Sequence, residues 1–176
     1  MTPAADPSVH ASAVRVGDRA VLIRGPSGAG KSRLAFDLII AGRAGQIPPT
    51  VLVGDDRLLL VEQDGLLIAR PVPALAGLIE IRGLGVRRCD FVPEATVGLV
   101  VDLAAPDAER LPPPAALETR EKGILIPRIP VSGGFAALPL VVAALLTAPA
   151  SVPDPRPSHD CRKEFGNHIS PTIATE

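Results

Sequence analysis

One stretch, Gly25-Pro-Ser-Gly-Ala-Gly-Lys31-Ser32, constrains this chain more than any other. It meets the phosphate-loop pattern G-x-x-x-x-G-K-[ST] at every fixed position. Ala20 to Ile23 before it is a short apolar run that reads as a buried strand. Arg33 to Ile40 after it reads as the start of a helix, with Leu34, Ala35, Leu38 and Ile39 on one face. Strand, glycine turn and helix together aim backbone N–H groups at an anion, and the helix N-terminus adds partial positive charge. Gly25, Gly28 and Gly30 lack a Cβ, so the backbone can take positive φ and approach a phosphate closely. Pro26, Ser27 and Ala29 fill the loop between them. Lys31 is placed to reach β/γ phosphates, and the Ser32 hydroxyl to ligand Mg²⁺. A glycine turn that binds nothing is the competing reading; the flanking strand, the helix and the Lys-Ser pair all argue against it.

The chain has 176 residues, enough for one domain around a single core. Aromatic residues are 2% and Trp and Tyr are absent, so Val, Leu, Ile and Ala must build that core. A formal net charge of −1 gives no electrostatic case for nucleic acid as a partner. Cys89 and Cys161 make no disulfide framework, which suits a reducing, cytoplasmic compartment. The first residues show neither a basic region nor an apolar segment of the secretory kind. Leu138 to Leu146 is apolar but too short to span a membrane, and reads as a buried helix.

Val9–Val16 and Arg19–Arg24, joined at Gly17-Asp18, read as a hairpin that delivers the chain into the loop. Thr50–Val53 and Arg57–Glu62 read as strands, and Gln63-Asp64-Gly65 as a hairpin turn into Leu66–Arg70. Val97–Leu103 is almost wholly apolar and reads as a strand buried on both faces. Ala104–Ala116 is proline-rich and irregular, Ile124–Ile129 a short strand, Gly133-Gly134 a turn. From Ala148 to Glu176 proline and polar residues dominate, which reads as a mostly disordered tail after a domain over 1–147. Strands outnumber helices and hairpins join several, so the expected fold is α/β with a mixed, partly antiparallel sheet carrying the loop's helix.

Three further places carry candidate chemistry. Asp55-Asp56 ends a short apolar strand 24 residues beyond Lys31, where a metal- or water-directed carboxylate sits in phosphate-loop enzymes. Neighbours on an extended chain point to opposite sides, so one carboxylate can face the phosphates and the other the sheet. A solvated turn with two acids is the alternative. In Leu78-Ile-Glu-Ile-Arg-Gly-Leu-Gly-Val86, Glu80 and Arg82 share one face of an extended segment, and the glycines argue for tight backbone beside something. An exposed strand face with an ion pair is the alternative there. His10 alone says little. His159, Cys161 and His168 match no zinc spacing.

Taken together, Val9-His10-Ala11, the loop Gly25–Ser32, Gly54-Asp55-Asp56 and above all the E-I-R-G-L-G run Glu80–Gly85 resemble the catalytic domain of HPr kinase/phosphorylase. That family phosphorylates a serine of the phosphocarrier protein HPr and reverses the transfer by phosphorolysis. The likeness runs from Val9 to Leu146, in the manner of the short alphaproteobacterial forms without the usual N-terminal domain. It implies a P-loop kinase domain similar to the phosphoenolpyruvate carboxykinase fold, using ATP and Mg²⁺, with HPr as partner and a homo-oligomer, a hexamer, as assembly. It implies Asp55 as the base that takes the serine proton, with His10 beside it and Asp56 in support. It further implies Lys31 on the transferring phosphates, Ser32 and Glu80 on Mg²⁺, and Arg110 as a catalytic arginine; Arg82, beside Glu80, is a further catalytic candidate. One stretch departs from the family: Val131-Ser-Gly-Gly-Phe-Ala136 has no arginine where the long forms carry V-x-x-G-R-N, the loop tied to phosphorolysis and subunit contacts. A small-molecule P-loop kinase and a nucleotide-dependent switch without transfer are the rival readings. The absence of N-K-x-D and L-S-G-G-Q motifs weighs against GTPase and ABC-type variants of the latter.

Overall fold

A computed structural model describes residues 7–149. Their sheet is built outward from the strand that enters the glycine loop. That strand, β2 (Arg19–Arg24), follows β1 (Ser12–Val16) through a turn in which Gly17 takes φ 60°. Helix α1 (Lys31–Arg43) leaves the loop, and β3 (Thr50–Gly54) returns antiparallel to β1. A hairpin of β4 (Leu58–Gln63) and β5 (Leu66–Pro71) comes next, followed by a smaller one of β6 (Leu78–Ile81) and β7 (Gly85–Arg88). The chain ends with β8 (Ala95–Leu103), β9 (Glu118–Glu121), β10 (Ile124–Val131) and α2 (Ala137–Leu146).

The main sheet runs β3-β1-β2-β8-β10-β9, with β5 also paired to β8 and β4 to β5. Pairings β2–β8 and β8–β10 are parallel, and the others antiparallel, so the sheet is mixed as expected. Alternation sends Val21 and Ile23 of β2 towards α1 and α2, where they meet Leu34, Leu38, Val101, Leu103 and Val141. It sends Ala20 and Leu22 to the other face, closed by Leu58, Leu60 and Leu67 of the β4–β5 hairpin. Strand β8 therefore has core on both sides, as its continuous apolar run requires. Each Leu or Ile that is fully buried here stabilises the fold by about 1.5–3 kcal/mol.

Helix α2, expected to be buried, buries only Val141, while Leu140 and Leu146 stand exposed, because the helix lays a single face on the core. Other local expectations change, and one strand is unforeseen. Leu78–Val86 is not one extended segment: β6 stops at Ile81, and Gly83 (φ 88°) and Gly85 (φ 79°) turn the chain back as β7. Glu118–Glu121 is a strand, although its sequence Glu-Thr-Arg-Glu carries no apolar alternation. The irregular proline-rich segment ends in a short 3-10 turn, Pro114–Leu117. The proposed tail from 150 onward, with His159, Cys161 and His168, lies outside the described residues, as do residues 1–6. Cys89 is a free thiol, and among the described residues no helix is long and apolar enough to cross a membrane.

Candidate active site

The loop takes the shape its glycines permit. Gly25, Gly28 and Gly30 sit at φ 148°, 81° and 97°, and Gly30 caps α1. A Cβ on Gly25 would stand 2.9 Å from the Leu103 carbonyl oxygen, so the close approach of loop and β8 needs glycine there. Lys31 is 6% exposed. Its ammonium donates to the carbonyls of Gly25 (2.9 Å) and Pro26 (3.1 Å), across the loop it closes. Burial pushes the Lys31 ammonium below the usual lysine value, while the carboxylates of Asp55 and Asp56 pull it back up.

Both carboxylates stand at the end of β3, and their surroundings differ. Asp55 is 3% exposed. Its Oδ1 accepts from the Ser12 hydroxyl of β1 and its Oδ2 from the Glu80 backbone N–H of β6 (3.1 Å). Those two bonds fix three elements, β1, β3 and β6, around one side chain. Asp56 is exposed, with φ 66°, and the Arg57 N–H returns to the Asp55 carbonyl at 2.8 Å. This tight reversal is a γ-turn, a strained conformation that projects the Asp56 side chain away from the sheet. Its Oδ1 meets His10 Nε2 at 3.3 Å. His10 therefore pairs with Asp56, where the resemblance implied a place beside Asp55; both aspartates line the same cleft as His10.

A cleft of about 980 Å³ joins these groups. Its walls include Ser27–Ser32 of the loop, His10, Ser12, Asp55, Asp56, Glu80 and Arg82, and the segment Gly134–Leu138 that opens α2. Gly25 and Pro26 are not among its walls; their carbonyls hold the Lys31 ammonium. Arg82 sits in the turn after β6 rather than on the Glu80 strand face, yet it still lines the cleft. Arg110 does not: it is exposed in the loop after β8, outside the cleft walls. Ser12 was invisible to sequence reasoning; the one hint was a hydroxyl between Ala11 and Ala13 at the start of a strand.

Behind the loop a second set of charges braces the strand ends. Arg24, the residue before Gly25, donates through Nε and Nη2 to both Asp102 oxygens (2.7 and 2.8 Å) and through Nη1 to Glu121 (2.9 Å). Arg128 of β10 also binds Asp102, and its two Nη atoms grip Asp107 at 2.7 and 2.9 Å. Burial alone would raise the Asp102 carboxyl, but the hydrogen bonds and charges of Arg24 and Arg128 hold it below the ordinary aspartate value. This network ties β2, β8, β9 and β10 together one residue upstream of the glycine loop.

A phosphate loop on a mixed sheet, with carboxylates at the end of a neighbouring strand and one shared cleft, defines a P-loop kinase-type domain. The family model described as HPr Serine kinase C-terminal domain matches residues 2–111. The chain belongs to that family. Curated relatives include HPr kinase/phosphorylase of Mycoplasma mycoides subsp. mycoides SC, 40% identical over 77 residues, which are 44% of this chain and 22% of that one. The enzyme of the same name from Enterococcus faecalis is 42% identical over 80 residues, 45% of this chain and 24% of that one. The chain thus spans about a quarter of the length of these relatives. Among solved structures, the Hpr(Ser) kinase/phosphatase from Coxiella burnetii superposes with a TM-score of 0.62 and 28% identity, over 78% of this chain and 92% of that one.

Proposed function

We propose that this chain is a protein-serine kinase that transfers the γ-phosphoryl group of ATP to a serine of the phosphocarrier protein HPr. The observation that carries the reading is one cleft lined by the phosphate loop with Lys31 and by a carboxylate, Asp56, whose side chain is exposed and pairs with His10. The family resemblance supplies HPr and ATP as the reactants.

The phosphates lie along the N–H groups of Gly28–Ser32, and Lys31 turns from its loop carbonyls to the transferring group. The serine oxygen attacks the γ-phosphorus in line, and the bond to the β-bridging oxygen breaks as the new O–P bond forms. Asp56 takes the serine proton. Asp55 is the less suitable base, because both its oxygens already accept protein hydrogen bonds and it is almost fully buried. His10 holds Asp56 in place, and Arg82 offers positive charge at the rim. In the reverse, phosphorolytic direction inorganic phosphate attacks the phosphoserine phosphorus, the serine O–P bond breaks to give pyrophosphate, and Asp56 returns its proton to the serine oxygen.

The donors in the cleft fit Mg²⁺. Ser32 and Glu80 both line the cleft and present hard oxygen atoms. That suits a cation held mostly by substrate phosphates and water, with one or two protein oxygens. When bound there, Mg²⁺ supplies charge neutralisation at the phosphates.

Incubation with labelled ATP, Mg²⁺ and purified HPr tests the reading. Label on HPr serine is the expected result. ATP binding without label on HPr would overturn it in favour of a small-molecule kinase or a nucleotide-dependent switch.

A further inference from the structure

We propose that Phe135 is the platform on which the nucleobase of a bound nucleotide stacks. The inference rests on the nucleotide reading of the cleft and adds a subsite to it.

The chain has four phenylalanines and no Trp or Tyr, so an aromatic ring in any site is scarce. Phe36 also lines the cleft but is partly buried against the core, Phe91 packs over Gly77, and Phe165 lies outside the described residues, so Phe135 is the cleft's exposed ring among the described residues. Phe135 is 74% exposed and yet belongs to the wall of the phosphate-loop cleft. Leaving so large an apolar surface in water is unfavourable, and a ligand that covers the ring recovers that free energy.

The backbone presents the ring deliberately. Ser132–Phe135 is a β-turn closed by the Phe135 N–H on the Ser132 carbonyl at 3.1 Å, with Gly134 at φ 81° where only glycine is unstrained. Helix α2 starts two residues later and anchors the turn to the core through Val141. The ring thus stands on a short turn between two fixed elements, β10 and α2.

The cleft lining divides by chemistry. His10, Asp56, Glu80 and Arg82 are charged or ionisable, whereas Gly134, Phe135, Ala136, Ala137 and Leu138 carry no side-chain polar group. A phosphate chain needs the first kind of surface and a base needs the second. The cleft, about 980 Å³, lies at the large end of small-ligand sites, roughly 300–1,000 Å³, and has room for more than a phosphate chain. An aromatic face supports any base by stacking, without hydrogen-bond readout.

The test is calorimetric binding of MgATP and of magnesium tripolyphosphate, which lacks base and ribose, to the full chain and its Phe135→Ala and Phe135→Tyr variants. Stacking predicts that Phe135→Ala weakens ATP by roughly five- to 150-fold. Tripolyphosphate should bind Phe135→Ala as it binds the parent, and Phe135→Tyr should restore ATP. If the parent binds both ligands and Phe135→Ala holds ATP undiminished, the stacking role is wrong while the phosphate site stands. Equal losses for both ligands would make Phe135 a support for the loop and overturn the proposal. A parent chain that binds neither ligand removes the nucleotide reading and this subsite together. Undiminished ATP binding with a shift in sedimentation would assign the ring to a contact between copies, which also overturns it.

Discussion

The two aspartates at the end of β3 should separate cleanly under mutation. Asp56→Asn keeps size and backbone preference, because Asn is among the residues that tolerate positive φ, and Asp56 sits at φ 66°. The amide cannot take the serine proton. General-base help is worth roughly 10²–10⁴-fold, so single-turnover transfer to HPr should fall by that factor with ATP affinity nearly unchanged. Asp55→Asn is a different perturbation. Its amide oxygen can still accept the Glu80 N–H, and its NH₂ can donate to the Ser12 hydroxyl, which reverses its role. What is lost is the charge assistance of two bonds, about 1 kcal/mol of stability, with transfer reduced by less than about tenfold. Asp55→Ala is the harsher control: it strands the Glu80 N–H and should cost about 1–3 kcal/mol. Quenched-flow transfer to HPr, ATP calorimetry and urea unfolding on the same variants provide the readout. A dead Asp55→Asn beside a near-normal Asp56→Asn would return the base role to Asp55 and refute the argument from burial and bonding.

Three other outcomes follow from the geometry. Lys31→Ala should leave a folded protein that binds ATP at least about tenfold more weakly and transfers nothing measurable, as calorimetry and the HPr assay would show. Gly25→Ala must place a Cβ 2.9 Å from the Leu103 carbonyl oxygen at φ 148°, so it should lose about 1–3 kcal/mol in urea unfolding together with ATP binding; a variant as stable as the parent would contradict the close approach of loop and β8. Asp102, held below 3.8 when folded, contributes stability that is complete above 3.8 and disappears as pH falls through its folded value. Asp102→Asn should therefore lower stability at neutral pH and flatten the acid limb of the stability–pH curve, measured by urea titration from pH 7 to pH 2.

The parts of the molecule that were legible in the sequence are those whose physics is local. The glycine loop, its lysine and the helix that follows depend on residues within a few positions of each other. Asp64-Gly65, at φ 53° and 76°, sets its hairpin in the same way. Strand β8 was readable because an apolar run with no polar face has to be covered twice, and it is. Strand β9 was not, since nothing in Glu-Thr-Arg-Glu favours extended pairing. It forms because Lys122 and Gly123, at φ 48° and 84°, fold it back on β10 and because Arg24, 97 residues away, takes Glu121. The β6–β7 turn was masked by the alternation of Leu78–Ile81, which looks continuous until Gly83 and Gly85 adopt positive φ.

The assignment of the acids shows where sequence reasoning stops. Alternation along β3 says that Asp55 and Asp56 must face opposite sides, but it does not say which side carries the chemistry. The proposed assignment to Asp56 rests on partners distant in sequence: the Ser12 hydroxyl, 43 residues before Asp55, and the Glu80 N–H, 25 residues after it. Once both oxygens of Asp55 are occupied, its carboxylate holds β1, β3 and β6 in register, and proton transfer there would break a bond that keeps Glu80 in place. The γ-turn then has a purpose. Strain of about 1–3 kcal/mol at Asp56 lifts the second carboxylate off the sheet, where His10 can hold it without using both oxygens. A buried acid bonded at both oxygens fixes the frame, and the proposed base is the solvent-facing acid paired with His10.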